Sequence, residues 1–244
     1  MCQTAGTGHV TSSFSCVELM VALYYGGILN HDPKNPKWED RDRFILSKAQ
    51  ASPLLYTILA DRGYFDNAWL DTFAKDKFSV HLQNNVAGVE ISAGSLGLGL
   101  GIACGMAYVL KGKKPAVFCM MGDAECYEGS VWEAAMTASH NNLNNLVVII
   151  DRNEMGATDW TEKMCKLEPL EDKWKAFGWD TKRINGHNFD EIFDAFAHKK
   201  TKPYVIIADT VKGLGCKKTL NKPLYYSRVP NCEDCDDATG CFLR

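Results

Sequence analysis

Two apolar runs, each followed by a polar residue, flank a segment with helical spacing in the middle of the chain. The sequence predicts strands at residues 115–121 (PAVFCMM) and 146–150 (LVVII), with a helix at residues 128–141 between them. Such a unit places its two strands side by side and parallel. Asp123 and Asn153, which follow the two strands, are therefore expected at the edge where open α/β sheets bind ligands. A carboxylate and an amide oxygen there suit a hard cation such as Mg²⁺, which often carries a diphosphate.

Strands and helices alternate along the rest of the chain in the same way. Further strands are predicted at residues 44–46, 179–184 and 204–209, and further helices at residues 12–29, 51–63, 67–75, 91–110, 169–177 and 189–198, with polar loops at residues 31–43 and 156–166. This alternation predicts an α/β fold with a mostly parallel sheet and helices on both faces. We assign residues 1–230 to that domain and residues 231–244 to an acidic, Cys-containing tail.

The composition is that of a globular protein without an obvious charged partner. The net charge is −3 and no dense Lys/Arg block occurs, so a nucleic-acid partner is not expected. Ten Cys lie mostly singly in apolar segments, and no signal peptide is recognised, which indicates a cytoplasmic protein with reduced thiols. Residues 91–110 carry no charge over a length that could span a bilayer. Their five Gly favour a buried helix with a small-residue face, and no membrane association is expected.

Three ordered motifs then identify a family. They are DPKNPKWEDRDRFILSK (residues 32–48), GVEISAGSLG (residues 88–97) and GDAECYEGSVWEA (residues 122–134). From about residue 9 to residue 230 the chain resembles the N-terminal, thiamine-diphosphate-binding half of transketolase, in the form where that half is a separate subunit. The motifs lie in the strand–helix context that the family requires.

The resemblance implies thiamine diphosphate and Mg²⁺ (or Ca²⁺) as cofactors. Asp123, Asn153 and the backbone carbonyl of Met155 correspond to the metal ligands. Gly94 and Leu96 match positions that approach the aminopyrimidine ring of the cofactor. The complete set of expected cofactor contacts is Gln50, Gly94, Leu96, Gly122, Asp123, Ala124, Glu125, Asn153, Met155 and Tyr226.

The resemblance also assigns catalytic residues. The chain retains some of the histidines expected in the family's active site and replaces others. His9 and His81 match histidines that face the donor's hydroxyl and carbonyl oxygens, and Glu128 matches a carboxylate that links two active sites across a subunit contact. Gln50 and Tyr226, however, stand where two further histidines are expected. Because a polyol pocket discriminates by pairing hydroxyl groups, we expect a specialised two-carbon transfer, with a modified sugar as substrate or a carrier-bound acceptor.

The family's mechanism requires a partner for this chain. The glutamate that activates the aminopyrimidine belongs to the C-terminal half of transketolase, so the resemblance implies a partner subunit, in a two-plus-two heterotetramer. Such an assembly would transfer a two-carbon ketol unit from a ketose or ketose phosphate donor to an acceptor. Two alternatives remain at this point. One is an α-type subunit of a 2-oxoacid dehydrogenase or decarboxylase, and the other is a non-catalytic scaffold subunit.

The Cys residues of the tail could form a zinc site, and His187 could have a functional role. Cys232, Cys235 and Cys241 have part of a zinc-site spacing, and Cys216 is the candidate fourth ligand. Because a second CxxC or a His pair is missing, we favour a tail without metal. His187, in an Asn-Gly-His-Asn sequence, is interpreted as a loop or helix-start residue.

Overall fold

A computed structural model describes residues 1–230, which form an α/β fold around one parallel sheet. The five strands are β1 (Arg43–Leu46), β2 (Val117–Gly122), β3 (Leu146–Arg152), β4 (Asp180–Asn185) and β5 (Tyr204–Asp209). They lie in the order β1-β2-β3-β5-β4, and every neighbouring pair is parallel. The predicted fold class and all five predicted strands are confirmed, with strand ends within two residues of the predicted ones.

Helices cover both faces of this sheet because its central strands are apolar on both sides. Phe118 and Met120 of β2 point into one buried cluster, whereas Val117, Cys119 and Met121 point into a second cluster on the other face. Such continuous apolar strands are typical of sheets buried on both faces. The helices are α1 (Cys2–Ala5), α2 (Val10–Phe14), α3 (Val17–Tyr25), α4 (Ser52–Asp61), α5 (Leu98–Leu110), α6 (Gly129–His140), α7 (Thr161–Met164), α8 (Leu170–Ala176) and α9 (Phe189–Phe196).

The predicted helix at residues 12–29 is wrong as a single helix. The segment forms two helices, α2 and α3, with a break at Ser15 and Cys16. The hydroxyl of Ser15 donates to Asp151 Oδ2 at 2.6 Å, and that of Ser13 donates to the carbonyl of His9. Short polar side chains that bond outside the helix ladder disfavour a continuous helix. The second helix ends at Tyr25, before two glycines.

The predicted buried helix at residues 91–110 is also corrected. The helix α5 begins only at Leu98, because Gly97 adopts a left-handed conformation (φ 78°) and ends the preceding loop. One face of α5 is exposed in this chain, including Leu98 (53%) and Val109 (67%). A Cβ at Gly101 or Gly105 would have no neighbour within 4 Å. The predicted small-residue face is therefore present, although it is not buried within residues 1–230.

The remaining predictions have different outcomes. The helix predicted at residues 67–75 is a 3₁₀ helix, Asn67–Thr72, and the loop predicted at residues 156–166 contains α7. Cys16 and Cys119 lie in the buried apolar core, as predicted. Within residues 1–230, no helix has the length and hydropathy needed to cross a bilayer. The acidic tail, including the interpretation of Cys232, Cys235 and Cys241, lies outside the described residues.

Candidate active site

A pocket with an empty volume of about 450 Å³ opens at the carboxyl edge of the sheet. Lys48 follows β1, Asp123 follows β2, Asn153 follows β3 and Lys212 follows β5. Parallel strands end at the same edge, so residues far apart in sequence meet there. The pocket is lined by Ser12, Lys48, Gln50, Leu96, Gly122, Asp123, Ala124, Glu125, Asn153, Met155, Gly156, Ala157, Lys212 and Tyr226.

Asp123 is buried, and its two carboxylate oxygens have different partners. Oδ2 accepts a hydrogen bond from Arg152 Nη1 at 2.9 Å and another from the backbone N–H of Glu154 at 2.7 Å. Oδ1 accepts one bond, from the N–H of Ala124 at 2.8 Å. Burial raises the pKa of Asp123 to about 6, against the opposing charge and hydrogen bond of Arg152. Oδ1 therefore keeps a lone pair for a ligand.

Asn153 and Met155 add two more oxygen donors to the same wall. The amide of Asn153 donates to Asp151 Oδ2 at 3.1 Å, and its Oδ1 accepts from the N–H of Met155 at 3.2 Å. The carbonyl of Met155 accepts from Lys212 Nζ at 3.3 Å. Within residues 1–230, no group of three or more His, Cys, Asp or Glu side chains is placed to hold a metal. A cation here would rely on hard oxygens of Asp, Asn and backbone, a donor set that suits Mg²⁺ or Ca²⁺.

A buried ion pair between Lys48 and Asp151 holds the side chain of Asn153 in place. Lys48 Nζ contacts Asp151 Oδ2, and the hydroxyl groups of Ser15 and Thr210 also donate to this carboxylate. Although burial opposes ionisation, the Lys48 ammonium holds the pKa of Asp151 below its ordinary value. Burial likewise opposes the charge of Lys48, but Asp151 raises the pKa of Lys48. Both groups are therefore charged at neutral pH, and Asn153 is fixed by the pair.

Lys212 is the second buried cation of the pocket, and it has no anionic partner in the described part of the chain. Its Nζ donates to the carbonyls of Met155 and Gly156, each at 3.3 Å, and lies 5.4 Å from the centre of the Tyr226 ring. Burial, together with the nearby charge of Lys48, lowers the pKa of Lys212 to about 8. An ammonium that is desolvated in this way favours an anionic ligand such as a diphosphate.

Sequence reasoning did not select Lys48 or Lys212 as site residues, nor Ser12, Gly156 and Ala157. One signal was available for Lys212. It follows the predicted strand at residues 204–209 by three positions and therefore stands at the same sheet edge as Asp123.

Glu125 lines the pocket, but its carboxylate is occupied by donors of the protein. Oε2 accepts from Ser47 Oγ at 2.6 Å and from the N–H of Gly97 at 2.8 Å, and Oε1 accepts from the N–H of Gly122 at 3.0 Å. Burial raises the pKa of this carboxyl. Glu125 therefore braces the loop before α5 against the ends of β1 and β2, where Leu96 and Gly122 line the pocket.

His9, His81 and Tyr226 form an aromatic group beside the pocket. The His9 ring lies 5.9 Å from the His81 ring and 4.8 Å from the Tyr226 ring, measured between centroids. His9 Nδ1 lies 2.7 Å from the carbonyl oxygen of Tyr226. A carbonyl can only accept, so the proton is on Nδ1 and the lone pair is on Nε2. Burial lowers the pKa of His9, with smaller effects of His81 and Lys212, and this imidazole is a neutral base at neutral pH.

Nine of the ten expected cofactor contacts line the pocket, and Gly94 does not. Gly94 lies beside His81, where an added Cβ would be 3.6 Å from the ring. Glu128 is also outside the pocket. It is an exposed residue just before α6, packed against Gly97. His187 lies in the loop after β4, and its Nε2 accepts from the N–H of Val211 at 2.9 Å.

Comparisons with known proteins place this site in a family. The family model for the transketolase thiamine diphosphate binding domain matches residues 1–224. A 6-deoxy-6-sulfo-D-fructose transketolase subunit of Clostridium sp. (strain MSTE9) is 40% identical over 225 residues, which cover 89% of this chain and 82% of that subunit. One subunit of the apulose-4-phosphate transketolase of Phocaeicola vulgatus is 35% identical, over 96% of this chain and 85% of that subunit.

Longer transketolases match over a smaller part of their length. Human transketolase is 38% identical over 92% of this chain, which spans 37% of the human protein. The solved structure of transketolase from Campylobacter jejuni superposes with a TM-score of 0.92 at 30% identity, over 98% of this chain and 40% of that chain. Together with the pocket at the strand ends, these matches show that the chain belongs to the transketolase family and corresponds to its N-terminal, thiamine-diphosphate-binding half.

Proposed function

We propose that this chain binds thiamine diphosphate with a divalent metal and, together with a C-terminal-half subunit, transfers a two-carbon ketol unit between sugar derivatives. One observation carries the proposal: oxygens of Asp123, Asn153 and Met155 share a pocket with the buried Lys212 ammonium. This combination suits a metal–diphosphate ligand. The matches fall on transketolases, which favours ketol transfer over the decarboxylation expected of a 2-oxoacid dehydrogenase subunit.

Each part of the pocket has a defined task in this proposal. Asp123, Asn153 and the Met155 carbonyl hold Mg²⁺ (or Ca²⁺), while Lys212 and Ser12 face the diphosphate. The bound cofactor supplies stabilisation of the carbanion formed when the donor's carbon–carbon bond breaks. His9 Nε2 has the lone pair needed to take a proton from a donor hydroxyl.

The assembly that we propose is a cytoplasmic two-plus-two heterotetramer. Two of the relatives are named as subunits of transketolases, and this chain covers 82% and 85% of their lengths. The glutamate that activates the aminopyrimidine comes from the partner, as the family resemblance implies. Glu128 is exposed just before α6, which leaves it accessible to a partner subunit.

The substrate that we propose is a modified sugar or sugar phosphate rather than an ordinary pentose phosphate. Gln50 can donate hydrogen bonds but carries no charge. The Tyr226 ring packs on His9 next to the space for the donor. Two subunit relatives are named for a sulfonated fructose and for apulose-4-phosphate. A carrier-bound acceptor is the alternative that the same substitutions allow.

The replacement Asp123→Ala tests the cofactor site and separates catalysis from scaffolding. The full chain, purified with its partner, is assayed for bound thiamine diphosphate, native mass and ketol transfer over a panel of ketose phosphates. We expect D123A to assemble but to lose metal-dependent cofactor binding and turnover. Asp209→Ala is the matched control, because Asp209 stands at the carboxyl end of β5 but pairs with Arg183 outside the pocket. Turnover that is unchanged in D123A would instead support a non-catalytic scaffold subunit.

A further inference from the structure

A fully buried arginine stands behind the carboxylate proposed as metal ligand. Arg152 is the last residue of β3, and its side chain is 0% exposed. Its Nη1 donates to Asp123 Oδ2 at 2.9 Å and to Thr161 Oγ1 at 2.7 Å. Its Nη2 reaches Glu162 at 2.9 Å and Glu168 at 3.3 Å. The guanidinium group thus joins the end of β2 to the segment that contains α7.

The contacts of Asp123 determine which of its oxygens is available. Oδ2 already accepts from both Arg152 and the N–H of Glu154, whereas Oδ1 accepts only from the N–H of Ala124. Rotation of the carboxylate would break the charged bond to Arg152, and bonds of this kind are stronger than neutral ones. Arg152 therefore selects Oδ1 as the oxygen that a ligand in the pocket can reach.

Arg152 is itself held in place from the side away from Asp123. Thr161, Glu162 and Glu168 all come from one segment, which follows the pocket residues Gly156 and Ala157. A planar guanidinium group with donors on both sides has little freedom to turn. Its position is therefore set before any ligand binds.

We infer that Arg152 is a positioning residue for the divalent metal, which fixes Asp123 so that Oδ1 alone is offered as a ligand. The inference rests on the proposed function, because it concerns the metal that accompanies thiamine diphosphate. Groups that orient a metal ligand commonly change metal affinity 10–100-fold when they are replaced. The role belongs to the geometry of the guanidinium fork and not to its charge.

The positive charge of Arg152, considered alone, predicts the opposite change in metal affinity. A buried cation next to a metal site repels the metal, so the removal of Arg152 would strengthen metal binding if electrostatic repulsion were its main effect. Positioning predicts weaker binding. The sign of the change therefore separates the two effects.

The test titrates Ca²⁺ by calorimetry into the complex of the full chain and its partner, at saturating thiamine diphosphate. We expect Arg152→Met to weaken Ca²⁺ binding 10–100-fold. Arg183→Met is the matched control, because Arg183 bonds the same Glu168 at 3.1 Å but does not contact Asp123, and its effect should stay within about two-fold. Circular dichroism and thermal melting without ligand establish that each variant is folded.

Arg152→Lys is the second variant, because it keeps the charge if the methionine variant does not fold. A lysine cannot hold Asp123 and Thr161 in the same fork, so we expect at least about ten-fold weaker Ca²⁺ binding. Unchanged or tighter binding in either folded variant would overturn the inference and leave the proposed function intact. If the wild-type complex bound no Ca²⁺ with thiamine diphosphate, the proposed function would fail, and the inference with it.

Discussion

The buried pair of Lys48 and Asp151 makes a strong prediction about stability. The Asp151 carboxylate is 0% exposed and accepts from Lys48, Ser15, Thr210 and Asn153. Replacement of Lys48 by Met leaves a buried carboxylate with neutral donors only. Breaking a buried pair in this way costs about 3–5 kcal/mol, and typical domains have only about 5–15 kcal/mol of stability. We therefore expect Lys48→Met to lose a large part of the free energy of unfolding.

Lys212→Met is the matched control, since Lys212 is a second buried lysine of the same pocket. Burial lowers the pKa of Lys212 to about 8, whereas Asp151 raises the pKa of Lys48. Lys212 donates only to carbonyls, at 3.3 Å. Its replacement removes a desolvated charge along with two long hydrogen bonds, so we expect stability to change by no more than about 1 kcal/mol.

Urea denaturation of the full chain without cofactor or metal, followed by the fluorescence of its six Trp, measures both variants. The double variant Lys48→Met/Asp151→Leu should be more stable than Lys48→Met, because it removes both charges together. Equal losses in Lys48→Met and Lys212→Met would refute the reasoning, since the ion pair would then contribute nothing particular. A double variant less stable than Lys48→Met would refute it as well.

The remaining predictions concern two glycines at and within α5, and the choice of substrate. Gly97→Ala should cost about 2–3 kcal/mol in urea denaturation, because Gly97 has φ 78° and a Cβ there would lie 2.5 Å from that of Glu128. Gly101→Ala, in the open helix face, should stabilise the chain alone by about 0.5–1 kcal/mol, and equal effects would contradict this assignment. Tyr226→His restores the residue expected in the family and should shift the kcat/KM ratio towards ordinary pentose phosphates by about ten-fold or more. An unchanged ratio would show that Tyr226 does not select the donor.

The sheet, and the two strand ends that bring Asp123 and Asn153 into the pocket, could be predicted from local pattern alone. The apolar runs at residues 115–121 and 146–150 have the length of strands, and the helical spacing between them predicts a strand–helix–strand unit. The positions of Asp123 and Asn153 then follow from topology, because parallel neighbours end at the same edge.

Long-range contacts explain what local pattern could not predict. At the break between α2 and α3, Ser15 bonds to Asp151, which lies 136 residues later in the chain. The role of Lys48 depends on the same carboxylate, 103 residues away. The late start of α5 depends on the left-handed Gly97, whose N–H bonds to Glu125. Hydrophobic periodicity in the sequence does not predict contacts between residues so far apart in the chain.

The charges around the pocket explain why its ligand should be a metal–diphosphate and not a free anion or a free cation. Lys48 pairs with Asp151, and Asp123 pairs with Arg152, which also contacts Glu162 and Glu168. Lys212 remains as the buried lining cation without an anionic partner in the described residues. Glu125 also lines the pocket, but its carboxylate is occupied by Ser47 and two backbone N–H groups. A divalent cation alone would therefore be repelled by the Lys212 ammonium, which opposes its binding. A diphosphate that arrives with its metal still carries net negative charge, so it can use the Asp123 and Asn153 oxygens for the metal and Lys212 for the phosphate at once.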